Sequence, residues 1–356
     1  MNKIGKINFR EIKRISPSQF YSMKNCAYKS LLAEAFEKKP LLPVSSNAYF
    51  GIVLHKMLEL IAKGEVRNDD GFNKVFNEQV RSVEESLFKN GYNFFIPLQK
   101  NVKDYGLKKI LLKKHLSAVS EKPAISNNAE YHSEKWFESQ DKLLAGKIDL
   151  VIITGTDLEI IDFKTGAIME DVLDDSGEVF SEVKEEYKAQ LKLYAYLYFE
   201  NTGKLPTKLS LVDLAKQKFM VDFSLSECIG MFEEAKKLLQ CTNESIVTGI
   251  FVANPTQTNC RYCLYRPACS FYQCQLKIDS DMNDVSGSLR NVVKYQNGNV
   301  NVFLQRGDRQ FTITNFPAEK YNILKGSINK NIGIYNLRRE ATKFVLSATK
   351  TTMIYE

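Results

Sequence analysis

Two β-branched runs, residues 146–153 and 157–164, are separated only by Thr154-Gly155-Thr156, and each carries one aspartate among apolar neighbours. This pattern predicts a tight hairpin. If Gly155 and Thr156 form a two-residue loop, with Gly155 supplying the positive φ of a type II′ turn, paired positions sum to 311. Asp149 then faces Asp162. Side chains alternate along a strand, so Lys164 projects from the same face as Asp162. Two facing carboxylates destabilise a sheet, and burying them costs more, unless a divalent cation holds both. Oxygen ligands of this kind suit Mg2+ or Mn2+, which polarise a phosphodiester and lower the pKa of an attacking water. Lys164 is placed to orient that water or to stabilise charge on the phosphate. An isolated Asp-x-Lys tripeptide is common by chance, and Lys164 can simply pair with an aspartate on a solvated strand. The hairpin gives the tripeptide its weight.

The remaining sequence supplies a frame for this hairpin. Ser16-Pro17 predicts the start of a helix carrying Cys26 to about Phe36, ended by the loop between Pro40 and Pro43. Val53, Leu54, Met57, Leu58 and Ile61 recur at helical spacing around His55, predicting a helix over 47–62. More helices are expected to about Ser120, then three strands between Ala129 and Lys164. The acidic stretch Glu170–Glu186 reads as a solvated loop before a helix over 185–200. Strands near 208–214 and 219–223 and a helix over 227–240 complete the body. A polar linker is expected over 278–286, followed by short strands broken at Gln296-Asn297-Gly298 and Gly307-Asp308, with a helix near 318–324.

In combination, Gly146-Lys-Ile-Asp149, then Ile-Asp162-Phe-Lys164-Thr-Gly, then Gln190-Leu-Lys-Leu-Tyr194-Ala-Tyr resembles the RecB-type branch of the PD-(D/E)xK nucleases. That branch includes the nuclease domains of RecB and AddB and the iron-sulfur exonucleases of CRISPR adaptation. Phe50-Gly-Ile-Val-Leu-His55 is similar to its helix-borne histidine motif. The resemblance implies that His55, Asp149 and Asp162 bind metal, with the Phe163 carbonyl as a further ligand. Gln190 and Tyr194, four apart on one helical face, would orient Lys164 or meet substrate. Ser16-Pro17-Ser18 resembles an N-terminal motif, implying that Ser16 and Ser18 touch the nucleic-acid backbone. The match runs from about 15 to 275.

Seven cysteines in a chain of 356 residues, taken as cytoplasmic, point to metal ligation rather than disulfides. Cys260-x2-Cys263-x5-Cys269 brings three thiols together. Spacing alone leaves zinc and iron-sulfur open, and Cys274 open as a substitute ligand. The resemblance implies a [4Fe-4S] cluster completed by the distant Cys26. Cys228 and Cys241 read as helix residues without a role.

Ser286–Glu356 holds 11 Lys+Arg against 4 Asp+Glu, or +7, which is the whole net charge of +7. A basic tail domain hints at a polyanion. Arg290, Lys294, Arg306, Arg309, Arg338, Arg339 and Lys343 alternate with Tyr295, Phe303, Phe311, Tyr335 and Phe344, as expected of an oligonucleotide-binding (OB-like) barrel whose aromatics stack on bases. The aromatics serve equally well as a barrel core, and the face as a protein dock.

The expected fold class is α/β, a restriction-endonuclease-like mixed sheet flanked by helices, with an iron-sulfur clamp and a small C-terminal OB-like β-barrel. Its domains are expected at 1–277 and 286–356. The expected function is a Mg2+- or Mn2+-dependent nuclease, foremost a single-stranded DNA exonuclease in repair, recombination or defence. A structure-specific endonuclease, an RNase and a non-catalytic iron-sulfur scaffold are the alternatives. No segment approaches the roughly 18 apolar residues of a membrane span. Met1–Arg14 is charged and lacks a secretory pattern, hence the cytoplasmic expectation. No Gly-x4-Gly-Lys-Ser/Thr occurs, so any helicase would be a separate partner.

Overall fold

The computed structural model describes residues 1–116, 129–173, 179–278, 283–339 and 345–356. The chain forms two compact units: one is Ile12–Lys24 with Ser45–Val247, the other Met1–Glu11, Asn25–Val44 and Thr248–Glu356. The expected boundary between 277 and 286 falls inside the second. In chain order, the helices are α1 (Pro17–Asn25), α2 (Ala27–Ala35), α3 (Ser46–Ala62), α4 (Asp69–Lys89), α5 (Leu98–Asn101) and α6 (Tyr105–Lys113), then α7 (Glu185–Thr202), α8 (Leu225–Thr248), α9 (Gln257–Arg261), α10 (Ser270–Ile278) and α11 (Tyr321–Lys325).

The larger unit is built on a five-stranded mixed sheet, β1 (Ala129–Glu138), β2 (Ala145–Thr154), β3 (Asp157–Lys164), β6 (Lys208–Asp213) and β7 (Lys218–Met220), in that spatial order. β3 and β6 are parallel and joined through α7; the other pairs are antiparallel. A parallel pair needs such a crossover. Apolar residues of β2, β3 and β6 share one core with α1, α7 and α8. α3 to α6 form a second core, against which Phe163 packs. In α3 the stripe Phe50, Val53, Leu54, Met57, Leu58 and Ile61 is wholly buried, and the Ser45 hydroxyl caps it by accepting from the Ala48 N–H at 3.3 Å.

Two expectations are corrected here. Glu170–Glu186 is not simply a loop: β4 (Met169–Leu173) and β5 (Val179–Val183) pair as an antiparallel hairpin. Acidic residues on β4 and β5 masked a weak β pattern, in which Met169 and Val183 reach the core while Phe180 stays exposed. Helix α1 does not run through Cys26. The backbone there is extended, with φ −159° and ψ 93°, so α1 ends and α2 begins anew.

In the second unit β8 (Val285–Lys294), β9 (Val300–Arg306), β10 (Arg309–Phe316), β11 (Asn331–Tyr335), β12 (Arg338–Arg339), β13 (Leu346–Ser347) and β14 (Met353–Tyr355) form one sheet in the order β12-β13-β10-β9-β8-β11-β14. The sheet is a half-barrel of seven strands, and its β10–β13 pair is parallel. An OB barrel has five; the ladders among the described residues include no closing pair. Gly298 and Gly307 take the left-handed φ of +84° and +58° that their turns require. The linker expected over 278–286 is corrected at its end: Asp284 is buried and Val285 already begins β8.

Candidate active site and cysteine cavity

The β2–β3 hairpin has the predicted register. Leu150 pairs with Ile161 and Thr154 with Asp157, and Gly155 has φ +60°. Beyond Leu150 the ladder gives way to a side chain: the Phe163 N–H donates to Asp149 Oδ2 at 2.9 Å. The burial pattern also changes at this point, since Ile148 and Val151, three apart, both enter the same core. On β1 the residue at that level is Glu134, between the pairs Ser133–Leu150 and Lys135–Ile148, and it has the left-handed φ of +58°. A non-glycine residue held there marks local strain, here beside a carboxylate.

Asp162 is buried, with 3% of its surface exposed. Its Oδ1 accepts from Gln190 Nε2 at 3.0 Å, and its Oδ2 lies 2.7 Å from Lys164 Nζ. The geometry at Oδ2 makes no hydrogen bond. Lys164 Nζ donates to Gln190 Oε1 at 2.8 Å and sits 4.3 Å from the centre of the Tyr187 ring. Gln190 therefore spans both members of the Asp-x-Lys motif. Burial, then the Asp162 charge, push the Asp149 carboxyl up to about 7; the Phe163 N–H and Lys164 oppose this. Two sequestered carboxylates are served mainly by one ammonium. That deficit of positive charge fits a cation-binding pair.

The other expected residues surround this pair. Gly51 brings α3 to the end of β3, where a Cβ on it would lie 3.5 Å from Thr165 Oγ1. His55 follows one helical turn later. Its ring has an open side, while crowding by protein on the other holds its pKa below the usual imidazole range; Asp162 raises it and Lys164 lowers it. Tyr194 is buried and hydrogen-bonded to Gln190, and burial, then Asp162, raise its pKa. A Cβ on Gly146 would meet Pro17 Cδ at 2.8 Å and Tyr194 Cε1 at 3.0 Å, so α1, β2 and α7 lock together there. Ser16 and Ser18 stand at the start of α1 with their hydroxyls 3.1 Å apart. Among the described residues no three His, Cys, Asp or Glu side chains converge as a ready metal-binding group, so His55, Asp149 and Asp162 share a neighbourhood rather than a closed ligand set.

Sequence reasoning missed Tyr187, although its spacing of three and seven from Gln190 and Tyr194 puts it on their helical face. It also missed Glu134, which forms an ion pair with Lys147, because the β1 register is not legible locally.

Cys26, Cys260, Cys263 and Cys269 line one small cavity with Lys29 and Arg266. Burial pushes Cys260 up to about 12 and Cys269 up to about 11, with neighbouring cysteines adding to the effect. Arg266 Nη1 donates to the carbonyls of Cys260, Arg261 and Cys263 at 3.1, 3.2 and 2.6 Å. Cys274 is exposed and does not line this cavity; Cys228 and Cys241 lie on α8.

In the half-barrel, Phe311 packs against the core, while Tyr335 is buried on the other face of β11, its hydroxyl accepting from Gln273 Nε2 at 2.7 Å; Tyr295 remains exposed. Arg290 and Arg306 line a common groove, while Arg338 and Arg339 form β12 at the far end of the sheet and Arg309 opens β10. Lys343 and Phe344 lie outside the described residues. No described helix is long and apolar enough to cross a membrane.

No curated protein matches the chain. Among solved structures, a candidate exonuclease from Eubacterium rectale is similar at 11% identity and TM-score 0.45, over 70% of this chain and 87% of its own. Another, described by the words structural mimicry for functional antagonism, has 10% identity and TM-score 0.19, over 66% and 98%. Likeness at these levels settles nothing about the fold. The sequence model of the PD-(D/E)XK nuclease superfamily, by contrast, matches residues 14–270, spanning both the carboxylate hairpin and the four cavity cysteines. With most of its length accounted for by that match, the chain belongs to the PD-(D/E)XK nuclease superfamily.

Proposed function

We propose that this nuclease is a Mg2+- or Mn2+-dependent exonuclease acting on single-stranded DNA, of the RecB/AddB-type branch. The observation that carries its chemistry is the Asp162 environment: a buried carboxylate oxygen without a hydrogen bond, beside Lys164, opposite the burial-strained Asp149. His55, Asp149, Asp162 and the Phe163 carbonyl would hold the cation. When bound, it supplies Lewis-acid polarisation of the phosphodiester and a more acidic water. Asp149 and Asp162 offer the negative oxygens that hold it. Lys164, fixed by Gln190 and by the Tyr187 ring, presents its ammonium to the phosphate or the incoming water. Gln190 keeps Lys164 and Asp162 in register, and Tyr194 packs behind it. Ser16 and Ser18 hydroxyls are proposed to meet the nucleic-acid backbone.

Cys26, Cys260, Cys263 and Cys269 are proposed to hold a [4Fe-4S] cluster, with zinc as the alternative ligand of the same thiols. Their shared cavity, which Lys29 also lines, supports this. The cluster's role is structural, since hydrolysis requires no electrons. The half-barrel is proposed to hold nucleic acid.

The test is degradation of end-labelled linear and circular single-stranded DNA, and of RNA, with Mg2+ or Mn2+. Wild type is compared with Asp162→Ala and Lys164→Ala at equal cysteine-centre occupancy. Metal-dependent loss of linear DNA alone is expected, reduced on the order of 100-fold or more in both variants. Cutting of circles would replace the exonuclease reading with an endonuclease one, and preference for RNA would make it an RNase. Binding without cleavage of any substrate would favour a scaffold.

A further inference from the structure

A groove of about 800 Å³ in the second unit is lined from two sides. One wall comes from the cysteine segment, including Ser270, Gln273 and Lys277 of α10; the other comes from β8, β9 and β11 of the half-barrel. Two of its lining residues are glycines within strands. Gly287 faces Arg306 across the β8–β9 ladder, and a Cβ there would strike the Gln305 carbonyl oxygen at 2.7 Å. Gly333, on β11, would drive a Cβ to 2.6 Å from the Tyr335 hydroxyl. Both positions are already approached by the protein's own atoms, so internal packing accounts for these glycines.

The rim is cationic. Lys277, Arg290 and Arg306 all line the groove; its acidic residue, Glu356, is already paired with Lys330 at 3.0 Å and Lys3 at 3.7 Å. Arg306 lies over the Phe311 ring, 4.7 Å from its centre, and its Nη1 is buried without a hydrogen-bond partner. A guanidinium nitrogen held out of water with no acceptor is an incomplete arrangement. An anion would complete it.

We propose that this groove binds a segment of single-stranded nucleic acid, its phosphates on Arg306, Arg290 and Lys277. The inference rests on the nucleic-acid reading of the chain and deepens it. The proposed strand-holding surface belongs jointly to the half-barrel and the cysteine helix α10, and Lys277, outside the expected barrel, is part of it. The buried Tyr335 and the core-packed Phe311 leave base stacking a minor contribution, so binding should depend on charge more than on sequence.

The experiment measures fluorescence anisotropy of a labelled single-stranded deoxyoligonucleotide with the full-length protein in EDTA, across a salt series. Removing divalent cations separates binding from cutting. Lys277→Gln/Arg290→Gln/Arg306→Gln is expected to weaken binding about tenfold or more and to flatten the log K against log[salt] slope by about 2, given roughly 0.7 per phosphate contact. Lys320→Gln/Lys325→Gln, which removes charge from the short helical segment elsewhere on the same unit, is expected to change affinity by less than about twofold. Lys277→Gln/Arg290→Gln, confined to exposed side chains, repeats the test should the triple variant fold poorly. Equal losses in the groove and control variants would overturn the proposal. So would competition by poly-glutamate as strong as that by unlabelled oligonucleotide, which would assign the groove to an acidic protein segment. Cleavage with Mn2+ is read separately: groove-dependent binding by a protein that cuts nothing would support the groove and sink the exonuclease reading.

Discussion

Asp149 shows how one residue can set a pH dependence for the fold. Its pKa rises from the ordinary carboxylate range to about 7, first through burial and second through Asp162. A carboxyl whose folded pKa lies above its unfolded value binds more protons when folded, so stability falls as pH rises through that window. Between pH 4 and 7 the metal-free protein therefore loses stability, on the order of 2 kcal/mol after allowance for solvent screening. Asp149→Asn should remove most of that loss. In thermal melts with EDTA, the variant is expected to be more stable than wild type at pH 8 and to lose this advantage by pH 4. An advantage independent of pH would mean that Asp149 is not the group responsible. Gln190 acts by position instead: its amide donates to Asp162 and accepts from Lys164, a division that Glu cannot reproduce.

At the scale of elements, the hairpin was legible because its loop was short enough to fix a register. Asp162 and Lys164 are bridged by Gln190. Less was legible where contacts join distant segments. Nothing local announces that Glu134 takes a left-handed conformation level with Asp149, because that follows from the β1 register. The β4–β5 hairpin was hidden by its acidic composition, and the break at Cys26 by a helical pattern continuing on both sides. Gly146 became meaningful only when Pro17 and Tyr194 were found against it. Gly146→Ala inserts a methyl between a proline ring and an aromatic ring, neither a flexible side-chain end, at 2.8 and 3.0 Å. The expected loss is about 1–3 kcal/mol in denaturant unfolding, with activity lowered through displacement of Tyr194. Unchanged stability would show that α1 yields easily at this point.

At the scale of the whole molecule, the chain enters the second unit three times, so Cys26 and the late cysteines belong to one compact body despite their separation in sequence. What joins the cysteine loop to the half-barrel is a buried ion pair. Arg266 Nε donates to Asp284 Oδ2 at 2.6 Å, and its Nη2 donates to Asn336 Oδ1 at 2.6 Å. Asp284 also accepts from the Tyr272 hydroxyl at 2.7 Å and the Asn336 N–H at 2.8 Å. Since Arg266 also binds the carbonyls of Cys260 and Cys263, losing its carboxylate partner should loosen the loop that presents the thiols. Asp284→Ala leaves a buried guanidinium uncompensated, an expected loss of about 3–5 kcal/mol in the stability of this unit. Its sharper signature is chemical: in the full-length metal-free protein, Cys260, Cys263 and Cys269 should react faster with a thiol reagent, while Cys228 in the other unit keeps its wild-type rate. Acceleration at all four would indicate general unfolding, and no acceleration would show that the loop holds its form without the half-barrel's carboxylate.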